Sequence, residues 1–197
     1  TNGKAQFYVL PWEEDNSKVL DTNAVIAAYN SNGEIVWSWH IWIVDESPLL
    51  ATDTYSNGKT FMRKNLGAFT NSNGSKVEQE ILNSYGMYYQ WGRKEPLVGP
   101  NDWNFSLNYD DVLYDYNDYN TYIGYVKSSE GGSIEWTNEN PNNVVIGNPD
   151  NDFDWLNNGH DDALWSATNK TNNDPCPAGW HVPSIELFET LTIAAAD

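Results

Sequence analysis

The chain has 197 residues and carries 28 Asp and Glu against 10 Lys and Arg, a formal charge of -18. Such a chain is repelled by phosphate backbones and by anionic lipid surfaces, which argues against nucleic acid as a partner. The length suffices for one large domain with a sizeable core, and 10 Trp, 12 Tyr and 6 Phe favour β-rich structure, because flat rings pack well on pleated surfaces.

From Asn101 to Trp165 thirteen acidic residues face the single Lys127. An acidic, aromatic, lysine-poor composition is common in secreted or surface-displayed bacterial proteins. Cys176 is the only cysteine, so no intrachain disulfide can form. No run of 18 apolar residues is present, which predicts no membrane insertion of this segment. With neither an initiating Met nor an apolar signal segment, the sequence reads as a mature or excised piece.

Residues 1–22 read as a linker or edge segment, and 23–197 as a single domain. "NAVIAAYNSNGEIVWSWHIWIV" contains two strands joined at Asn32-Gly33, a two-residue hairpin signal because both positions tolerate positive φ. Alternation places Ile35, Trp37, Trp39, Ile41 and Ile43 on one wholly apolar face and Val36, Ser38, His40, Trp42 and Val44 on a mixed one. This predicts a strand covered on both sides, with Trp37 and Trp39 in the core and His40 as a hydrogen-bonded buried imidazole. "SKVEQEILNSYG" (75–86) spaces Val77, Ile81, Leu82 and Tyr85 as a helix closed by Gly86.

"MYYQWGR" (87–93) alternates as a strand, and the two prolines of "KEPLVGPNDW" end the pattern. The region 101–165 is long and weakly periodic, with a short helix and a strand expected within "NYDDVLYDYNDYNTYIGYV". Loops of this length inside a compact domain are functional or disordered, and the abundant aromatics argue against disorder. At the end, Ser184 is the natural N-cap of a helix whose buried stripe is Leu187, Phe188 and Leu191.

The strings "NAVIAAYNSNGEIVWSWHIWI", "MRKNLGA", "GMYYQWGRKEP" and "DPCPAGWHVPS", in that order, resemble Bacteroidetes surface proteins that carry the Fibrobacter succinogenes major paralogous domain, often beside fimbrillin-like modules. The similarity touches residues 23–96 and 174–191. It implies an α+β, C-type-lectin-like fold akin to formylglycine-generating enzymes: an antiparallel β-rich scaffold with one or two helices that presents long loops for binding. It also implies an extracellular, cell-surface or outer-membrane-associated location. Family members usually continue beyond the Pro-Ser-helix segment, so the resemblance leads one to expect a C-terminally shortened piece. Leu187 stands where a capping-box Glu is usual.

Chemistry is sparse in this sequence. Formylglycine-generating enzymes depend on a cysteine pair, and Cys176 has no partner; no G-x-S-x-G marks a serine nucleophile. These absences predict a non-enzyme. In "NPDNDFDWLNNGHDD", Asp150, Asp152, Asp154 and Asp161 mimic the oxygen spacing of an EF-hand loop, which makes calcium the candidate cofactor. Trp155, however, occupies the sixth position, normally Gly. Zinc has no matching spacing of His and Cys.

Trp103, Tyr109, Tyr116, Tyr119, Trp136 and Trp155 are interleaved with Asp and Asn, a composition suited to gripping sugars or protein surfaces. The expected function is therefore non-catalytic binding of a glycan, or of a host or bacterial surface protein, through the 101–165 loops. The alternatives are a pilus assembly or tip module that contacts pilus subunits and, less favoured, a formylglycine-generating-enzyme-like oxidoreductase.

Overall fold

The structure, a computed structural model, describes residues 6–8, 21–71, 74–97, 112–114, 120–122 and 124–189, the fourth and fifth of these stretches as backbone alone. Few helices and small, mostly antiparallel sheets make a mixed α and β fold. Most of the expected linker 1–22 lies outside the described residues.

Strands β1 (Thr22–Tyr29) and β2 (Ile35–Ile43) pair antiparallel. Of residues 30–34 only Gly33 has positive φ, at 82°. The Gly33 N–H donates to the Asn30 carbonyl at 3.1 Å, while Asn30 Oδ1 accepts from the N–H groups of Asn32 and Glu34. The connection is thus a longer turn with one left-handed residue, not the two-residue turn expected from Asn32-Gly33, because the Asn30 side chain stabilises an earlier start. A second hairpin, β3 (Thr52–Thr54) with β4 (Thr60–Met62), turns through Ser56-Asn57-Gly58, where Gly58 has φ 76° and Asn57 Oδ1 accepts the Lys59 N–H at 3.0 Å.

Helix α1 (Glu78–Tyr85) ends at Gly86, as its sequence predicts. The strand expected over 87–93 contracts to β5 (Tyr88–Tyr89), which turns at Trp91-Gly92 and pairs with β6 (Pro96–Leu97). The prolines therefore do not end the pairing, since Pro96 sits in a two-residue strand with few ladder bonds to lose.

Among the described residues of 112–127 there are strands and no helix: β7 (Val112–Tyr114) and β8 (Asn120–Tyr122) pair antiparallel, and β9 (Gly124–Lys127) follows. Helices α2 (Ser128–Gly131) and α3 (Ile134–Glu139) then carry the chain to β10 (Asn143–Ile146), which lies parallel to β9. Ser133 caps α3 by accepting the Trp136 N–H at 3.1 Å, a placement that satisfies one orphan donor of the first turn. Helix α4 (Ile185–Glu189) begins directly after Ser184, and Leu191 lies outside the described residues.

The buried cluster consists of Val145, Trp155, Leu156 and Leu164, with Trp91, Val126, Ile134 and Trp136 packed against it. Seven of these eight come from the region expected to be irregular binding loops. Residues 124–165 are core-forming, because two short helices and a parallel strand pair let widely spaced apolar residues meet without strict periodicity.

Candidate functional site

The segment 89–95, "YQWGRKE", joins the two halves of the fold. Gln90 Nε2 donates to the Val145 carbonyl at 2.6 Å and Gln90 Oε1 accepts from the Val145 N–H, so a side chain stands in for a strand neighbour of β10. The buried Arg93 guanidinium donates to the Asn143 carbonyl at 2.6 Å. Lys94 reaches the opposite way, to Ser38 Oγ at 2.8 Å, to the Glu95 carboxylate, and over the Trp37 ring at 4.3 Å.

These contacts correct the reading of β2. Ser38 is its buried residue, at 3% exposure, whereas Trp39 on the all-apolar face is 41% exposed. Trp37 is half-buried under Lys94. The mixed face turns inward because the carbonyls, charges and rings behind it need polar partners: Trp42 Nε1 donates to the Ala68 carbonyl, and Ser38 bridges Lys94 and Glu95. Unpaired polar groups in that position would be costly.

Beneath this face lies a chain of side-chain hydrogen bonds. Asn23 Nδ2 donates to the Gly67 carbonyl at 2.8 Å, Asn23 Oδ1 faces His40 Nε2 at 2.8 Å, and His40 Nδ1 faces the Tyr89 hydroxyl at 2.9 Å. Burial holds the His40 pKa down at about 4 and raises that of Tyr89, so both are neutral in ordinary buffers. The expectation of a hydrogen-bonded buried imidazole agrees with this geometry. Gly67, at φ 80°, lets the chain pass Met87 and Asn23, where a Cβ would collide with Met87 and crowd Asn23.

Tyr89 opens onto a groove of about 850 Å³ between the β4 region, the α1–β5 junction and residues 175–188. Phe61, Met62, Met87, Trp180 and Phe188 supply much of its lining. Phe61 and Phe188 approach to 5.9 Å between ring centroids. The far wall is held by the buried Asp174, which accepts from the N–H groups of Cys176 and Val182 and from Lys170 Nζ at 2.7 Å. Phe188, expected in a buried stripe, is 52% exposed and faces this groove. Three of the strings that carry the family resemblance, "MRKNLGA", "GMYYQWGRKEP" and "DPCPAGWHVPS", supply much of this lining, but their composition does not mark them as a binding site. The available signal was that Met62 and Phe188 are apolar residues of short elements, and Met87 of the junction between α1 and β5, too small to enclose them.

Cys176 also lines the groove. Burial and the neighbouring Asp174 push its thiol up to about 12, which leaves it protonated and a poor nucleophile. His181 is exposed, with Nδ1 3.2 Å from the Val182 carbonyl.

The expected binding rings divide. Trp155 is buried at 4% exposure and donates its indole N–H to the Trp91 carbonyl at 2.7 Å. With its ring in the core and its donor used, it has nothing to offer a ligand. Trp136 packs half-buried on the same core. Trp103, Tyr109, Tyr116 and Tyr119 lie outside the described residues.

The acidic loop does not gather its carboxylates. Among the described residues no group of three or more His, Cys, Asp or Glu is arranged to hold a metal ion. The chain reverses at Asp152 and Phe153, with φ 49° and 61°, earlier than the sixth position at which an EF-hand loop turns. Asp150, Asp152 and Asp161 are exposed, and Asp161 Oδ1 accepts from the Ala163 N–H. Asp154 is committed at both oxygens, to the Leu156 N–H and to His160 Nδ1 at 2.7 Å. His160 also stacks on Trp91, with centroids 4.2 Å apart, and its Nε2 meets Asp162 at 2.9 Å.

The structure thus places an apolar groove, backed by a neutral hydrogen-bond chain, on a mixed α and β scaffold in which none of the described helices is long and apolar enough to cross a membrane. In comparisons with known proteins, no family model, no curated protein and no solved structure matches the chain.

Proposed function

We propose that this chain is a non-catalytic binding module of a bacterial surface protein, built on a C-type-lectin-like variant of the α+β fold, and that its recognition surface is the groove between β4, β5 and residues 175–188. The observation that carries the proposal is the groove itself: about 850 Å³, open, and lined by Phe61, Met62, Met87, Trp180 and Phe188. Concave apolar sites with a few polar groups are the usual ligand-binding surfaces, and methionines adapt to varied partners.

The same lining favours a protein partner over a glycan. Sugar sites set rings beside amides and carboxylates, whereas the described lining includes the Asn65 amide and no Asp or Glu. Subunit contacts in a pilus belong to this protein-binding class. A non-catalytic role fits the chemistry present: Cys176 stays a thiol, and both ring nitrogens of His40 are engaged.

Both methionines of the chain, Met62 and Met87, line the groove, so methyl-labelled methionine gives two signals that both report on it. Titration with panels of peptides and oligosaccharides is expected to move both signals with peptides. Binding that leaves both methyls unmoved would put the recognition surface elsewhere.

A further inference from the structure

Strand β1 has an open edge. Among the described residues its one strand neighbour is β2. In an antiparallel pair, alternate residues turn their N–H and C=O groups away from the partner strand. No hydrogen bond runs from the outward groups of β1 to any other described residue. Its side chains are open as well: Val25 is 39% and Tyr29 63% exposed, and Ala24 is exposed. Natural edges are blunted by Lys, by Pro or by a bulge that twists the strand away. From Thr22 to Tyr29 the chain has no charged residue and no Pro. The ladder with β2 shifts only between Ala28 and Tyr29, beside the turn. Residues 22–28 thus form an unbroken, uncharged template for pairing.

The other edge of the hairpin is guarded. Lys94 Nζ donates to the Ser38 carbonyl at 3.3 Å and to Ser38 Oγ at 2.8 Å, with its ammonium over the Trp37 ring. A lysine therefore stands where a further strand would pair with β2.

We infer that β1 pairs with β1 of a second copy, antiparallel across a two-fold axis, and joins the two hairpins into one sheet of order β2–β1–β1–β2. Symmetry turns the same alternate residues outward in both copies, so the axis passes between one residue and its own copy. With most overlap that residue is Val25, which sets Thr22 opposite Ala28, or Ile26, which sets Asn23 opposite Tyr29. Either register puts a β-branched residue at the centre and no charge opposite a charge, the pairing that sheets favour.

A second copy suits this edge for two further reasons. Two-fold pairing uses the β1 edge of both copies and leaves only the Lys94-guarded edges outside, so the assembly closes as a dimer and does not grow into a fibre. Neither β1 nor β2 holds an Asp, Glu, Lys or Arg with which to read a charged partner. A two-stranded hairpin is marginal alone, and added strands stabilise it. At longer range two acidic copies repel, and salt screens that repulsion, so the dimer tightens as salt is added. No β1 residue lines the groove, so the pairing stands whether or not the groove is the recognition surface.

Sedimentation equilibrium of the full chain, from micromolar to millimolar protein, is expected to show monomer and dimer, with more dimer at higher salt. Val25→Lys and Ile26→Lys bring like charges together at the axis and should each weaken the dimer about fivefold. Tyr88→Lys, at an exposed position of β5, should leave it unchanged. Residue-resolved hydrogen exchange on the unaltered chain decides the matter even where those variants misfold: alternate β1 amides are expected to gain protection as concentration rises. A chain that stays monomeric, a dimer weakened as much by Tyr88→Lys as by Val25→Lys, or open-ended assemblies would overturn the proposal. So would β1 amides equally protected at every concentration, which would assign the edge to another part of the same chain.

Discussion

Trp155 donates its indole N–H to the backbone carbonyl of Trp91 at 2.7 Å, across 64 residues of chain. The bond locks residues 124–165 onto the 89–95 segment, and the same segment grips β2 through Lys94 and Glu95. Trp155 is therefore part of the scaffold's central joint.

Trp155→Phe is expected to cost about 1–3 kcal/mol, because it leaves the Trp91 carbonyl without its donor. Trp155→Ala should cost about 3–5 kcal/mol by adding a cavity. Urea unfolding followed by circular dichroism measures both. A Trp155→Phe variant as stable as the parent would show that the indole bond contributes nothing.

His40 gives a pH dependence on the acid side. Its folded pKa, about 4, lies below the unfolded value. The unfolded chain takes up the proton first, so stability is full above about pH 6.5 and falls as pH drops toward 4, by roughly 3 kcal/mol across that window. His40→Gln should flatten this slope in urea midpoints measured between pH 7 and pH 4. An unchanged slope would place the acid sensitivity in other groups.

His160 has the opposite sign. Its hydrogen bond to Asp154, then that to Asp162, raise its pKa above the ordinary imidazole value. A ring between two carboxylates is satisfied only as the imidazolium. Its stabilisation is present below about pH 6.5 and is lost as pH rises through the folded value. A proton NMR titration should show His160 titrating above the ordinary imidazole value, and Asp162→Asn should lower it. Titration of His160 below the ordinary value would refute the clasp.

How far the sequence foretold this arrangement depends on how local each cause is. Helix α1 and its Gly86 end are legible because spacing and cap lie within a dozen residues. The β1–β2 hairpin is legible for the same reason, and its turn was misjudged only through the Asn30 side chain. The facing of β2 was not legible. Alternation separates two faces, but the choice of inner face depends on Tyr89, Lys94 and Glu95, some fifty residues away. The core role of Trp155 was hidden for the same reason, since its partner Trp91 is remote and its own surroundings are Asp and Asn. The groove needed three distant segments at once.

Cys176 should be nearly inert toward thiol reagents in the folded state. With the thiol held up at about 12, the thiolate fraction at pH 8 is about one in ten thousand. Reaction with a chromogenic disulfide at pH 8 is expected only after denaturant is added. Fast stoichiometric reaction of the native chain would show a lowered thiol pKa and reopen a nucleophilic role for the groove.

The acidic loop yields the last prediction. An EF-hand loop keeps its first, third, fifth and twelfth donors on one ion by turning at its sixth residue. Here the turn falls at Asp152 and Phe153, the third and fourth positions, and Trp155, the sixth, is buried against Trp91. The Asp154 oxygens are held by Leu156 and His160, and releasing them would cost the stack on Trp91. Thermal unfolding curves with millimolar calcium, with EDTA and with neither are therefore expected to superimpose. A ligand of the native state must raise the midpoint, so a rise of several degrees with calcium, reversed by EDTA, would mean that Asp150, Asp152, Asp154 and Asp161 can gather after all.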